Sequence, residues 1–201
     1  MKSPLPMGTA PLPLLEEDII EAMRTLPGYL PITPSDFGEL YQVVYGMVKQ
    51  RLATTTTAAA IMRTPALTLP EGATMAEALA LFAAEGISGA PVVNAEGCIC
   101  GVLSEKDILR SLNRPNLVRS MQLLVSGGIC AHELEEAGKK RVGSIMASPA
   151  VVAEETATLG DVVRIFNERA IHRLPIVNSS QRPTGIITRT DLFATFAILL
   201  Q

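Results

Sequence analysis

Two short segments carry the residue types best suited to chemistry, Gly185-Ile186-Ile187-Thr188-Arg189-Thr190-Asp191 and Gly101-Val102-Leu103-Ser104-Glu105-Lys106-Asp107. Each reads as an aliphatic strand that leaves a glycine, meets a hydroxyl residue, and reaches an aspartate three positions later at the start of a helix. An ionised aspartate only accepts hydrogen bonds, so it can take both hydroxyls of a ribose, and the neighbouring hydroxyl adds a further bond. The helix N-terminus offers backbone N–H groups and a favourable dipole to phosphate. Asp191 with Thr188, and Asp107 with Ser104, are therefore candidate ribose sites. The same spacing is also that of a capping box, which needs no ligand, and both readings stand at this stage.

The surroundings of the two aspartates differ. Ahead of the second lies Ile171-His172-Arg173-Leu174-Pro175, ahead of the first Ile87-Ser88-Gly89-Ala90-Pro91. His172, Arg173 and Arg189 supply cations, and Thr190 a hydroxyl, suited to a phosphate. The first segment offers Lys106, offset by Glu105, and has glycine where the second has Arg173. The segment containing Asp191 is the favoured one.

The elements that must hold these residues come from a duplication. The two segments lie 84 positions apart, and the same offset aligns Met62 with Met146, Pro65 with Pro149, Phe82 with Phe166, Pro91 with Pro175 and Asn94 with Asn178 without a gap. Each copy reads as strand, helix, strand, strand, helix. A short extended piece is expected around Ala66-Leu67-Thr68, a helix after Thr74 ending at Gly86, and a hairpin turning at Asn94-Ala95-Glu96-Gly97. The domains expected are a proline-rich start and helical extension (1–57), a first unit (58–112), a helical insert (113–141) and a second unit (142–201). In the extension, Leu15, Ile19, Ala22 and Met23 have helical spacing. Thr33-Pro34-Ser35-Asp36 then opens a helix striped by Phe37, Leu40, Tyr41, Val44, Tyr45, Val48 and Leu52, and Thr54 to Thr57 read as a linker. The insert carries Leu117, Met121, Leu124 and Val125 at helical spacing, a break at Gly127-Gly128 and a charged run from Glu133 to Arg141. It is read as connecting helices with one solvated face, or as a partner-docking insert. The closing helix, Leu192 to Leu200, is apolar nearly all round and calls for cover from the extension or a second subunit.

Composition narrows the classes. The chain has 201 residues, 48% of them hydrophobic, with no run of the roughly 18 apolar residues that a membrane span needs. A net charge of −3 and the lack of tryptophan argue against nucleic-acid binding. The start lacks the apolar stretch of a signal peptide, and Cys98, Cys100 and Cys130 do not form a disulfide framework, so a cytoplasmic location is expected. Cys98 and Cys100 read as packing residues, one of which could be a surface thiol. Cys130 with His132 could be half a metal site, but no second pair has zinc-site spacing, so no metal is expected. No nucleophile-base pair, Walker loop or dinucleotide fingerprint appears, and an enzyme is not expected.

The duplicated pattern resembles the cystathionine-β-synthase (CBS) domain, which occurs in tandem pairs. The resemblance rests on Met62-Arg63-Thr64-Pro65 and Met146-Ala147-Ser148-Pro149, on Pro91-Val92-Val93-Asn94 and Pro175-Ile176-Val177-Asn178, and on the two glycine-to-aspartate segments. It implies an α+β fold of two β-α-β-β-α units packed about a pseudo-two-fold axis, with clefts between them and a tendency to form homodimers. It also implies an adenosine ligand, AMP, ADP, ATP or S-adenosylmethionine, whose binding regulates a partner protein. Adenine would lie in an apolar slot held by backbone groups near Ala66, Ile87 and Ala90, or near Val151, Ile171 and Leu174. The competing expectation is a ligand-free dimeric scaffold that docks a partner through its N-terminal helices.

Overall fold

The computed structural model describes residues 16–25, 32–112 and 131–199. It divides into two compact units, one ending at Thr55 and one beginning at Thr56. The expected features at Leu117 to Gly128, and Cys130, lie outside the described residues.

The first unit holds α1 (Glu16–Thr25) and α2 (Pro34–Thr55). The expected start of α2 is a reciprocal capping box: the Thr33 N–H and hydroxyl donate to Asp36 Oδ2 at 2.9 and 2.7 Å, and the Asp36 N–H donates to the Thr33 hydroxyl. Ile19 of α1 is buried, with its side chain beside Gly38 of α2. Of the expected stripe, Phe37, Tyr41, Tyr45, Val48 and Leu52 are half-buried, whereas Leu40 and Val44 are exposed, as are Val43 and Met47. Of the expected linker at Thr54 to Thr57, Thr54 and Thr55 lie in α2. α2 continues through Thr55, with the Thr54 and Thr55 hydroxyls donating back to carbonyls of Gln50 and Arg51 one turn earlier.

The second unit runs α3 (Ala58–Ile61), β1 (Leu69–Pro70), α4 (Met75–Glu85), β2 (Gly89–Val93), β3 (Ile99–Ser104), α5 (Glu105–Ser111), α6 (Ala131–Gly138), α7 (Val142–Ile145), β4 (Ala153–Glu154), α8 (Leu159–Arg169), β5 (Arg173–Val177), β6 (Pro183–Thr188) and α9 (Arg189–Leu199). Two three-stranded sheets form, β1-β2-β3 and β4-β5-β6, each with one parallel and one antiparallel pair. The strand falls on Leu69–Pro70, just beyond the expected Ala66 to Thr68, because Leu69 is the residue that comes level with Val92.

The duplication extends to registers and caps. Gly89 pairs with Ser104 as Arg173 pairs with Thr188, and both hairpins shift register before their valine, at Val93 and Val177. The helices α4 and α8 open with capping boxes, Thr74 with Glu77 and Thr158 with Asp161. The corresponding helix ends are left-handed, at Gly86 (φ 62°) and Ala170 (φ 50°).

The segments that open the two copies are exchanged. Arg63 pairs with Ile186 in β6 while Ala147 pairs with Val102 in β3; Thr57 pairs with Thr158 while Thr74 pairs with Arg141. Adding the 84-residue offset to one partner and subtracting it from the other converts each bridge into its mate, which is the signature of a two-fold relation. The exchange is buried as well as bonded. Ala58 belongs to the core with Leu159, Val162, Phe166, Leu174, Ile176 and Ile187, and Val142 to the core with Met75, Phe82, Val92 and Leu103. Burial of apolar side chains at about 25 cal/mol per Å² therefore ties the two copies into one folded body. At the end of the insert, Ala137 is buried in the first core while Lys139 pairs with Glu135 and Glu136 in solvent.

Candidate functional site

Asp191 sits on the first turn of α9 and is 7% exposed. Its Oδ2 accepts from the Thr188 N–H at 2.8 Å and from the Thr188 hydroxyl at 2.6 Å, so the capping box foreseen in the sequence is formed. Its Oδ1 accepts from Arg63 Nε at 2.5 Å, a partner 128 positions away that the exchange of opening segments brings here. Burial works against ionisation of Asp191, but the bonds from Thr188 and then Arg63 outweigh it and lower its pKa below the ordinary value.

Asp107, 8% exposed, repeats the arrangement on α5. Its Oδ2 accepts from the Ser104 N–H and hydroxyl. Its Oδ1 accepts from Arg110 at 3.1 Å, one turn along the same helix. Both carboxylates are thus capped on one oxygen and covered on the other by an arginine that is largely exposed. The covering residues are not repeat equivalents: Ala147 stands at the position matching Arg63, and Ala194 at that matching Arg110.

The expected phosphate-binding residues draw on both copies. Burial, then the charges of Arg189, Arg173 and Lys106, lower the His172 pKa below its ordinary value. Arg173 reaches across to the first copy. Its guanidinium lies on Gly89, its own equivalent in the repeat, and donates to the Ser88 hydroxyl. Burial lowers the Arg173 pKa, while the nearby Glu105 and Asp107 carboxylates act to raise it. A side chain at position 89 would meet the Leu103 carbonyl oxygen at 2.6 Å and the Arg173 guanidinium carbon at 2.9 Å. Arg189 and Thr190 are exposed at the start of α9, and Arg189 Nε donates to the Ile171 carbonyl at 3.1 Å.

The expected adenine-slot residues are dispersed between cores and surface. Ala90 and Leu174 are fully buried, backbone included, in paired strands of the two sheets. Ile87 packs against the first core, Val151 and Ile171 against the second, and Ala66 is half-buried ahead of β1. Sequence reasoning missed Arg63, Arg110 and Ser88. Arg110 was reachable as an i, i+3 partner of Asp107; Arg63 had no local signal.

No group of three or more metal-ligating side chains occurs among the described residues. Cys98 lies 3.5 Å from the Ser180 carbonyl, and Cys100 is the same distance from that of Val92. Burial and then the Glu71 charge raise the Cys100 pKa, which disfavours a reactive thiolate. No helix among the described residues is long and apolar enough to cross a membrane.

A pair of β-α-β-β-α units that exchange their opening segments, each with a capped and buried aspartate where its last strand meets its last helix, defines a tandem two-unit module. The CBS domain model matches residues 58–114 and 142–197, more than half of the chain. The chain belongs to the CBS-domain family.

Its relatives include the uncharacterized protein MJ1426 of Methanocaldococcus jannaschii, 30% identical over 145 residues that cover 66% of this chain and 86% of that one. The chloroplastic CBS domain-containing protein CBSX1 of Arabidopsis thaliana is 29% identical over 59% of this chain and 54% of its own, so the chain spans about half of that relative. Among solved structures, the CBS domain of a CBS domain-containing membrane protein from Sphaerobacter thermophilus superposes with a TM-score of 0.63 and 27% identity, covering 77% of this chain and 96% of that one. CBSX2 in complex with AMP shares the fold, with a TM-score of 0.56 and 24% identity over 73% of this chain and 99% of that one.

Proposed function

We propose that this chain is a regulatory module that binds an adenosine nucleotide, AMP, ADP or ATP, or S-adenosylmethionine, and conveys occupancy to a partner protein. The observation that carries the reading is Arg173 of the second copy lying on Gly89 and Ser88 of the first, just ahead of α5, with Lys106 on the first turn of α5 and Arg189 at the start of α9. Arg173, Arg189 and Lys106 are cations suited to a phosphate, and His172 is a further donor once protonated. The buried carboxylates of Asp191 and Asp107 lie on the first turns of the same helices as acceptors for ribose hydroxyls. Family membership supports the reading, since CBSX2 has been crystallised with AMP and the CBS pair of MJ0100 with 5-methylthioadenosine and S-adenosyl-L-methionine. The module acts as a cytoplasmic homodimer and carries no catalytic activity of its own. Phe193 of α9, 64% exposed, is a candidate for the dimer contact.

Calorimetric titration with AMP, ADP, ATP and S-adenosylmethionine tests this. Saturable binding is expected, with about 2.7 kcal/mol of added stability at 100 times Kd. Absence of heat and of thermal shift with all four ligands would leave the ligand-free scaffold, which the exposed apolar residues Leu40, Val43, Val44 and Met47 of α2 favour.

A further inference from the structure

We propose that Arg63 sets which ligands Asp191 accepts, acting as an internal occupant of the carboxylate that must be displaced and that selects for a ligand bearing an anionic group. The inference rests on the adenosine-ligand reading of the same site.

It begins with a count of acceptor positions. A carboxylate accepts about four hydrogen bonds, two at each oxygen. Thr188 fills Oδ2 with its N–H and its hydroxyl, and Arg63 Nε takes one position on Oδ1. One position remains, and a vicinal diol brings two donors. The Arg63 guanidinium has to leave before both can be received.

It can leave without disturbing the fold, because its side chain is 69% exposed. Its backbone stays in place: the Arg63 N–H donates to the Ile186 carbonyl at 2.9 Å, and the Ile186 N–H donates back to the Arg63 carbonyl at 3.1 Å. The displaced cation therefore remains tethered beside the site. A neutral nucleoside breaks the Arg63–Asp191 pair and returns nothing to the guanidinium. A phosphate ester supplies an anion that the same guanidinium can hold bidentately. Asp107 lacks this device, since its covering arginine belongs to its own helix and the repeat equivalent of Arg63 is Ala147.

The test compares AMP and adenosine by titration calorimetry on the wild type, Arg63→Ala and Arg63→Gln. Arg164→Ala, which removes another exposed ion pair on α8, is the control. Both Arg63 variants should bind adenosine more tightly, by up to about fivefold, the upper value of a pair with one exposed partner. The preference for AMP over adenosine should fall by at least that factor, and Arg164→Ala should leave it unchanged. An unchanged preference in the Arg63 variants, with AMP still bound by the wild type, overturns the selector and spares the nucleotide reading. Failure of every protein to bind either ligand overturns both. A readout without ligand stands beside these: carboxyl carbon NMR titration should show the Asp191 pKa rising in Arg63→Ala, and an unmoved value would mean that Arg63 does not occupy the carboxylate in solution.

Discussion

Asp191 caps α9 in the structure and receives ribose hydroxyls in the proposed function, and one atom's difference between substitutions should part the two. Its Oδ2 holds the start of α9 through Thr188, a task that any side-chain carbonyl oxygen can do; accepting two further hydroxyls on Oδ1 needs a carboxylate. Asp191→Asn keeps an oxygen for Thr188 and places an amide donor where Oδ1 stood. It should cost about 1 kcal/mol or less, because the interaction lost is an ion pair with an exposed arginine. Asp191→Ala leaves the Thr188 N–H and hydroxyl without their acceptor in a buried turn and should cost about 2–3 kcal/mol, the value of a hydrogen bond to a charged acceptor plus the cap. Urea denaturation of the three proteins gives these differences. Titration with AMP then gives the second axis, on which Asn and Ala should be equally poor, each at least about tenfold weaker than wild type, as expected from loss of a charge-assisted bond. An Asp191→Asn protein that binds AMP like the wild type would refute the ribose role and leave Asp191 as a helix cap alone.

The repeat supplies an internal control for the left-handed helix ends: Ala170→Gly should stabilise the protein by about 1 kcal/mol and Gly86→Ala should destabilise it by about the same, measured by chemical denaturation. Gly89→Ala drives a methyl into the Leu103 carbonyl and the Arg173 guanidinium, so a loss of about 1–3 kcal/mol is expected in the same assay. His172 is held below its ordinary pKa by burial and by Arg189, Arg173 and Lys106. A bound phosphate would raise that pKa, so binding takes up a proton and AMP affinity should strengthen as the pH falls from about 8 to about 6, a dependence that His172→Gln should flatten.

The sequence made the local grammar legible. Hydrophobic periodicity is set by neighbours within one turn or one strand, so the apolar run from Ala90 to Val93, the helix from Met75 to Glu85 and the Thr74, Ser104 and Thr188 starts could be read from a single copy and checked against the other. The 84-residue offset then carried the family, because two ungapped copies constrain the fold more than any one motif. The limits of that reading are equally physical. Thr54 to Thr57 looked like a linker by composition, yet the first two hydroxyls find carbonyls within their own helix.

The chain by itself determined which elements form, where both aspartates stand, and that the second copy is the richer in cations, since each follows from residue type and short-range spacing. Tertiary structure decided what those residues meet. Arg63 reaches Asp191 only because its segment joins β6 through backbone hydrogen bonds, which carry no side-chain signature. Arg173 reaches Ser88 only because the two copies face each other across a two-fold relation. That packing is fixed by the burial of Ala58 and Val142 in each other's copy, a property of the summed apolar surface that no local pattern encodes.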